Sequence, residues 1–367
     1  MNKFSIIIVV STIFALTSCN AGNNGYTISG TIEGAADGEV AYLQNRVNRQ
    51  FEQLDSAVIK NEQFTFKGVQ DSAVARYLSF AIDGKQTNTS FFLENGNIGV
   101  KGTDGRNISI TGTPANDAYQ SFNDNVAFIE NRQMAIYQSM SDSTFTDEQI
   151  AEKSREMDAL ENEMIATVKS GIEKNITNVV GVQLLSSYSY YYTEYPELAS
   201  LLAKVPENFQ ENSTIVAMSK YAQTLRTTEV GQKFVDFEME TPDGKPIKLS
   251  DYAGKGKIVL VDFWASWCGP CRVEMPTLID TYKKYRNKGF EIVGVSLDRN
   301  SEAWKSGIEQ LGITWPQMSD LKYWDCEGGR LYGVRSIPHT VLIDKDGIII
   351  ARGLRGEGLQ NKLAEIL

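Results

Sequence analysis

The segment KIVLVDFWA, residues 257–265, is a nearly continuous apolar run that leads into two cysteines, Cys268 and Cys271. A run without polar alternation is typical of a central strand that is buried on both faces of a sheet. Gly269 and Pro270 separate the two cysteines and shape the turn that opens the next helix. The sequence therefore predicts a buried strand that gives way to a helix, with both thiols at the junction.

From about Gly231 the surrounding pattern is that of an α/β domain. Further strands and helices alternate on both sides of the cysteines, with turns at Asp243-Gly244 and Asp346-Gly347. The predicted elements are a hairpin over 237–249, a helix to about 288, a strand over 292–298, a helix near 301–311, a hairpin over 339–353 and a terminal helix. Strand–helix–strand units followed by an antiparallel pair predict a three-layer mixed sheet over 231–367.

The preceding part of the chain predicts two further regions, so we expect a multidomain protein. Residues 26–113 alternate apolar and polar positions between Gly, Asn and Asp turns, which predicts a small antiparallel β sandwich or barrel. Residues 114–226 predict a helical domain: Thr113 and Pro114 suit a helix start, and Thr146 with Gln149 fits a capping box. Two more helices are expected within 178–225.

The first residues predict export and lipid anchoring. One positive charge precedes an apolar stretch that is too short to span a membrane, as in a signal peptide over residues 1–18. Because the stretch ends directly at Cys19, it resembles a bacterial lipoprotein signal. Cys19 would then carry the lipid, and residues 19–25 would form a polar tether to the membrane.

Charge and cysteine number exclude several classes of function. A net charge of -10, without a cluster of Lys and Arg, argues against nucleic acid as a partner. With Cys19 lipidated, three of the four cysteines remain, and an odd number cannot form a closed disulfide framework. A zinc site needs four ligands, and only Cys326 and His339 could join the pair. The sequence therefore predicts neither a metal nor another cofactor.

The position of the pair favours thiol–disulfide exchange. Unpaired N–H groups and the positive end of the helix dipole stabilise a thiolate at Cys268. Cys271, one helical turn later, points the same way but deeper, and can attack a mixed disulfide on Cys268 to release the reduced partner. We therefore predict a redox disulfide between Cys268 and Cys271.

At the family level, VDFWASWCGPC resembles the thioredoxin active site, and the segment 336–340 (SIPHT) resembles the loop whose proline is cis in that fold. The pattern WCGPCRVEMP is most similar to the TlpA-like branch of membrane-tethered, periplasmic thiol–disulfide oxidoreductases, which belong to the redoxins. This resemblance covers 231–367. The layout of 26–113 resembles a β-rich domain of unknown function that precedes redox domains in Gram-negative lipoproteins.

The resemblance also implies roles for individual residues. Asp262 would be the buried acid that exchanges a proton with Cys271, and Pro338 would lie against Cys268. Glu274 matches an acid that follows the second cysteine in this branch, although it could equally serve only the helix dipole. Pro276 would kink the active-site helix. Residues expected to line the sulfur site or contact substrate are Trp264, Trp267, Gly269, Pro270 and Ile337.

His339 and Cys326 are weaker candidates. A single histidine without ligand partners is more often packed than functional, and Cys326 has no motif around it. We expect His339 to be a packed or surface residue and Cys326 to be buried and inert.

The sequence thus predicts an enzyme, a lipid-tethered reductase of disulfides in exported proteins, with cytochrome c maturation as one pathway and a membrane protein as electron donor. Two alternatives stay open. A thiol peroxidase of the same fold usually has Thr or Ser three residues before its reactive cysteine, where this chain has Ala265. A Cu(I)-binding or redox-sensing adaptor would hold metal on the thiols instead of turning over.

Overall fold

A computed structural model describes residues 25–47, 50–82, 84–103, 107–139 and 146–367. The predicted signal peptide and the lipidation site at Cys19 lie outside these residues. The chain divides into two compact units, with the boundary between Asn125 and Val126. The second unit therefore contains most of the helical segment as well as the domain that carries Cys268 and Cys271.

The described part of the first unit is a β sandwich. Its strands are β1 (Tyr26–Ile32), β2 (Val40–Val47), β3 (Gln50–Val58), β4 (Gln63–Gly68), β5 (Val74–Ile82), β6 (Lys85–Leu93), β7 (Gly96–Gly102) and β8 (Ile108–Thr111). They form two four-stranded sheets, in the orders β4-β1-β7-β8 and β3-β2-β5-β6. Side chains of both sheets share one core, which includes Ile28, Phe66 and Phe80.

One strand pair of the sandwich differs from the antiparallel prediction. Strand β1 pairs antiparallel with β4 but parallel with β7. The alternation of apolar and polar side chains has the same period in both arrangements, so the sequence pattern could not distinguish them. The prediction of an antiparallel sheet is therefore wrong for this pair.

The helical segment comprises α1 (Pro114–Ser139), α2 (Asp147–Asn175), α3 (Val179–Tyr188), α4 (Tyr195–Leu202) and α5 (Ser213–Thr227). The predicted start at Pro114 and the capping box of Thr146 with Gln149 are both confirmed. After residue 178 three helices are present, not two, because a 3-10 turn over Ser189–Tyr191 ends α3 and Pro196 starts α4. Among the residues described, no helix combines the length and apolarity needed to cross a bilayer.

The C-terminal domain is built on a mixed five-stranded sheet. Its elements are β9 (Glu238–Glu240), β10 (Pro246–Lys248), β11 (Ile258–Trp264), α6 (Gly269–Tyr285), β12 (Phe290–Ser296), α7 (Ser301–Leu311), β13 (Gln317–Met318), α8 (Glu327–Leu331), β14 (His339–Ile343), β15 (Ile349–Arg352) and α9 (Gly356–Ile366). The sheet order is β13-β12-β11-β14-β15, and β9 pairs separately with β10. Every residue of β11 is buried, which confirms the predicted central strand.

The topology explains why β11 positions the cysteines. Strand β11 is parallel to β12 and antiparallel to β14, so the carboxyl end of β11 meets the amino end of β14. Phe263 near the end of β11 pairs in register with His339 at the start of β14. The turn after β11 and the loop before β14 therefore lie at the same edge of the sheet.

Candidate active site

Cys268 is the N-cap residue of α6, and its sulfur accepts a hydrogen bond from the N–H of Cys271 at 3.2 Å. The two residues form a disulfide in this structure. The side chains are nearly buried, with 4% of Cys268 and 2% of Cys271 exposed, so the expected difference in depth is small. Gly269 and Pro270 of the first helical turn are exposed beside them. A backbone N–H directed at the sulfur is the feature that favours a thiolate.

A second segment reaches the same sulfur from the start of β14. The peptide bond between Ile337 and Pro338 is cis, as the resemblance implied, and both residues are half-buried. The carbonyl oxygen of Ile337 lies 3.7 Å from Sγ of Cys268. The loop therefore presents backbone polar groups beside the sulfur, where an extended substrate segment could pair with them.

The carboxylate of Asp298 holds the turn between β11 and α6. It accepts hydrogen bonds from the N–H of Ser266 at 3.0 Å, from the hydroxyl of Ser266 at 2.6 Å and from the hydroxyl of Ser296 at 2.8 Å. Asp298 is buried. The sequence does not single out this residue, whose only signal is an acid at the end of the strand predicted over 292–298. We infer that it fixes the backbone two residues before Cys268.

Asp262 and Glu274 form an electrostatically coupled pair of carboxyls near the cysteines. Asp262 is buried on β11, and its Oδ2 has no hydrogen-bond partner among the residues described. Burial, and secondly the charge of Glu274, raise the pKa of Asp262 to about 8. Burial also raises the pKa of Glu274, while Arg355 and the N–H of Gly356 oppose that rise. Asp262 therefore takes up or releases a proton close to neutral pH.

The two tryptophans near the cysteines differ in position. Trp264 is completely buried, and its indole N–H donates to Oε1 of Gln317 at 2.9 Å. It is not accessible to a substrate there, so the prediction that Trp264 contacts substrate is wrong. Trp264 ends the fully buried β11 and packs in the core, whereas Trp267 follows in the turn and is 47% exposed.

His339 is a packed residue, as expected. Its Nε2 accepts from Arg352, with 3.4 Å between the nitrogens. Burial, then the positive charges of Arg352 and Arg355, lower the pKa of His339 to about 3, so the ring stays neutral. Cys326 is buried, and burial raises the pKa of its thiol to about 11, which fits an unreactive residue. Pro276, where the resemblance implies a kink of the active-site helix, lies inside α6, and the helix continues beyond it to Tyr285.

The helical segment contacts the loop that leads to Pro338. The hydroxyl of Tyr221 on α5 donates to the carbonyl oxygen of Gly333 at 2.9 Å. The guanidinium of Arg335 lies 3.6 Å from the centre of the Tyr221 ring and donates to the hydroxyl of Ser189. Arg352 on β15, itself buried, donates to the carbonyl oxygen of Thr228 at 2.9 Å. The helices thus buttress the segment that approaches Cys268, which sequence reasoning did not indicate.

Comparison with known proteins identifies two regions of the chain. Residues 230–352 match the AhpC/TSA family. Residues 26–119 match a domain of unknown function, DUF4369. The first match covers the cysteines and the cis-proline loop, and the second covers the β sandwich.

Curated relatives match the C-terminal domain. The thiol-disulfide oxidoreductase ResA of Bacillus thuringiensis subsp. konkukian is 37% identical over 142 residues, which is 38% of this chain and 77% of that protein. ResA of Bacillus subtilis is 33% identical over 120 residues, 33% of this chain and 64% of that protein.

Among solved structures, the thioredoxin domain of a thiol-disulfide oxidoreductase from Bacteroides vulgatus is 37% identical. It covers 37% of this chain and 96% of its own, with a TM-score of 0.35. With a cysteine pair at a helix N-terminus beside a cis-proline loop, and with these ResA relatives, the chain belongs to the ResA-type thiol-disulfide oxidoreductases of the redoxin group.

Proposed function

We propose that this oxidoreductase acts as a reductase of disulfides in exported proteins, apocytochromes c being one class of substrate. The thiolate of Cys268 attacks one sulfur of a substrate disulfide and displaces the other as a thiolate, which takes up a proton. Cys271 then loses its proton and attacks Sγ of Cys268, which releases the second substrate sulfur. The substrate gains two electrons and two protons, and the enzyme is left with the Cys268–Cys271 disulfide.

The observation that carries this proposal is the N-cap position of Cys268. The N–H of Cys271 points at its sulfur, and the first turn of α6 supplies the positive end of a helix dipole. Both effects favour the anionic sulfur over the thiol, which makes Cys268 the attacking residue.

Asp262 supports the second step of the exchange. With a pKa of about 8, the carboxyl of Asp262 has both protonation states accessible near neutral pH: its ionised form can accept a proton and its protonated form can return one, and its Oδ2 is free of other hydrogen bonds among the described residues. Cys271 needs such a partner because its thiol must lose a proton before it attacks. Glu274 tunes this group through its charge.

Trapping tests the exchange mechanism and identifies the substrates. A Cys271→Ser variant should accumulate mixed disulfides through Cys268, because the resolving thiol is missing. The matched Cys268→Ser variant should trap far less, since the remaining thiol is not the N-cap residue. Cys326→Ser in both backgrounds removes the buried thiol as a source of artefact. Equal trapping by the two variants, or rapid turnover of peroxide by the wild type, would contradict the proposal.

The direction of electron flow needs its own measurement. We propose a reductase whose Cys268–Cys271 disulfide is reduced again by a dithiol of a membrane protein, because the Gly269-Pro270 pair between the cysteines resembles that of reducing thioredoxins. The potential of the Cys268–Cys271 couple, measured against glutathione or dithiothreitol, should lie well below about -200 mV. A value well above that range would instead support disulfide formation or isomerisation.

We further propose that the enzyme is a lipoprotein of the periplasm-facing membrane in a Gram-negative envelope, anchored through Cys19. The support is the sequence alone: a basic start, a short apolar stretch and a cysteine directly after it. Labelling with radioactive palmitate should mark the wild type, which should fractionate with membranes. Cys19→Ala should lose the label, and a Cys326→Ala control should keep it. Label that persists in the Cys19 variant would contradict the anchor.

A further inference from the structure

Three aromatic side chains, two of them exposed and one half-buried, form a group beside the reacting sulfur, here termed the aromatic patch: Trp267, Trp324 and the half-buried Tyr323. The centre of the Trp267 ring lies 5.1 Å from the centre of the Tyr323 ring and 6.2 Å from that of Trp324. The ring centres of Tyr323 and Trp324 are 5.7 Å apart. Trp267 is 47% and Trp324 38% exposed. Since Trp267 directly precedes Cys268, the patch is continuous with the site of exchange.

The loop that carries Tyr323 and Trp324 is fixed in an uncommon conformation. Leu321 and Tyr323 have φ angles of 56° and 60°, a left-handed region that bulky side chains seldom adopt. The hydroxyl of Ser319 accepts from the N–H of Leu321 at 3.1 Å. The carboxylate of Asp320 accepts from the N–H groups of Lys322 and Glu327, at 3.1 and 3.0 Å. The backbone that carries the two rings is therefore held in place before any substrate arrives, which lowers the entropy cost of binding.

Arg299 limits which ring faces are available. Its guanidinium lies 4.1 Å from the centre of the Tyr323 ring and so covers one face of that ring. The exposed indoles of Trp267 and Trp324 are the surfaces that remain for an incoming side chain. Large, rigid aromatic surfaces of this kind favour aromatic or large aliphatic groups.

We propose that the aromatic patch binds an aromatic or large aliphatic side chain next to the cysteine of a polypeptide disulfide; this inference rests on the proposed function. A substrate sulfur bonded to Sγ of Cys268 brings its neighbouring residues within a few ångströms of Trp267, because an extended chain advances about 3.3 Å per residue. The carbonyl oxygen of Ile337, 3.7 Å from Sγ, offers the same segment a backbone partner.

A second copy of this chain is a poorer occupant of the patch. A stable protein interface buries about 800 Å² on each partner, which is far more than three partly exposed rings provide. A dimer through the patch would also cover the sulfur that must meet each new substrate. A single side chain of an extended peptide matches the size of the patch and leaves the exchange possible.

Two mixed-sequence peptides test the proposal. Each contains one intramolecular disulfide, and they differ only in the residue before the first cysteine, Phe in one and Ser in the other. The reduced wild-type enzyme should exchange with the Phe peptide about tenfold faster, the effect expected for burying most of one aromatic ring. Trp324→Ala should reduce this ratio to about twofold or less, and Trp324→Phe should retain most of it.

The ratio of the two rates is the informative quantity, because chemistry common to both peptides cancels. Tyr137→Ala is the matched control: it removes a tyrosine that is 71% exposed on α1, and the ratio should stay at the wild-type value. Equal rates for the two wild-type reactions, or a wild-type ratio in Trp324→Ala, would overturn the inference while the exchange function stands. Self-association in sedimentation that Trp324→Ala abolishes would overturn it in favour of a second copy. A failure of both peptides to react would overturn the proposed function as well.

Discussion

The buried carboxyl of Asp262 should make the stability of the C-terminal domain depend on pH in a defined direction. The pKa of this carboxyl is 3.8 in the unfolded chain and about 8 in the folded protein. Between these values the folded state holds a proton that the unfolded chain has lost. The stabilising contribution of this bound proton to the free energy of unfolding is therefore fully present below pH 3.8, and it disappears as the pH rises towards 8.

The size of the effect follows from that difference in proton binding. The free energy of unfolding should fall by about 1.4 kcal/mol for each pH unit within this window, hence by about 3 kcal/mol between about pH 5.5 and pH 7.5. Asp262→Asn keeps the shape of the side chain but cannot ionise, so it should lack this decline. Other titrating groups affect the wild type and the variant alike. The difference between the two proteins in how the free energy of unfolding depends on pH therefore isolates the contribution of Asp262.

Tryptophan fluorescence during urea unfolding can report this domain alone. All five tryptophans lie between Trp264 and Trp324, whereas the β sandwich and the helical segment have none. Both proteins are kept in the disulfide form, so that the redox state does not change with pH. Profiles for wild type and Asp262→Asn that run parallel to within about 0.5 kcal/mol would refute the reasoning.

Two further predictions concern the surroundings of the site. Glu274→Gln removes the second cause of the raised pKa of Asp262, so in the same urea unfolding series the decline of the free energy of unfolding should end at a lower pH. A decline that ends at a higher pH than in the wild type would contradict the coupling between the two carboxyls. Tyr221→Phe removes the hydrogen bond to the carbonyl oxygen of Gly333 and should cost about 1 kcal/mol of stability, measured by urea unfolding. The exposed Tyr137→Phe serves as its control, and an equal effect of both variants would speak against the contact.

The helical segment has a role in the structure that its sequence did not suggest. Its contacts through Tyr221 and Thr228 reach the loop before Pro338 and strand β15. Arg352 joins these parts, because it also contacts His339 and forms an ion pair with Glu194 at 3.7 Å. The helices therefore support the exchange site as well as linking the domains in sequence.

The sequence alone determined the junction of strand, cysteines and helix, because each signal there is local. An apolar run specifies a buried strand, and Cys268-Gly269-Pro270-Cys271 places both thiols on the first turn of the following helix. The resemblance to thioredoxin added the cis bond before Pro338. The capping box at Thr146 is local in the same way, and it too was predicted.

Only the tertiary structure decided which distant residues complete the site. Asp298 contacts Ser266, which lies 32 positions earlier in the chain. Tyr323 contacts Trp267 from a loop with left-handed backbone at Leu321 and Tyr323, where no glycine in the sequence indicates such a conformation. The parallel pairing of β1 with β7 was equally hidden, since side-chain alternation is the same for either strand direction. Such contacts join segments far apart in sequence, and no periodicity within one segment encodes its partner.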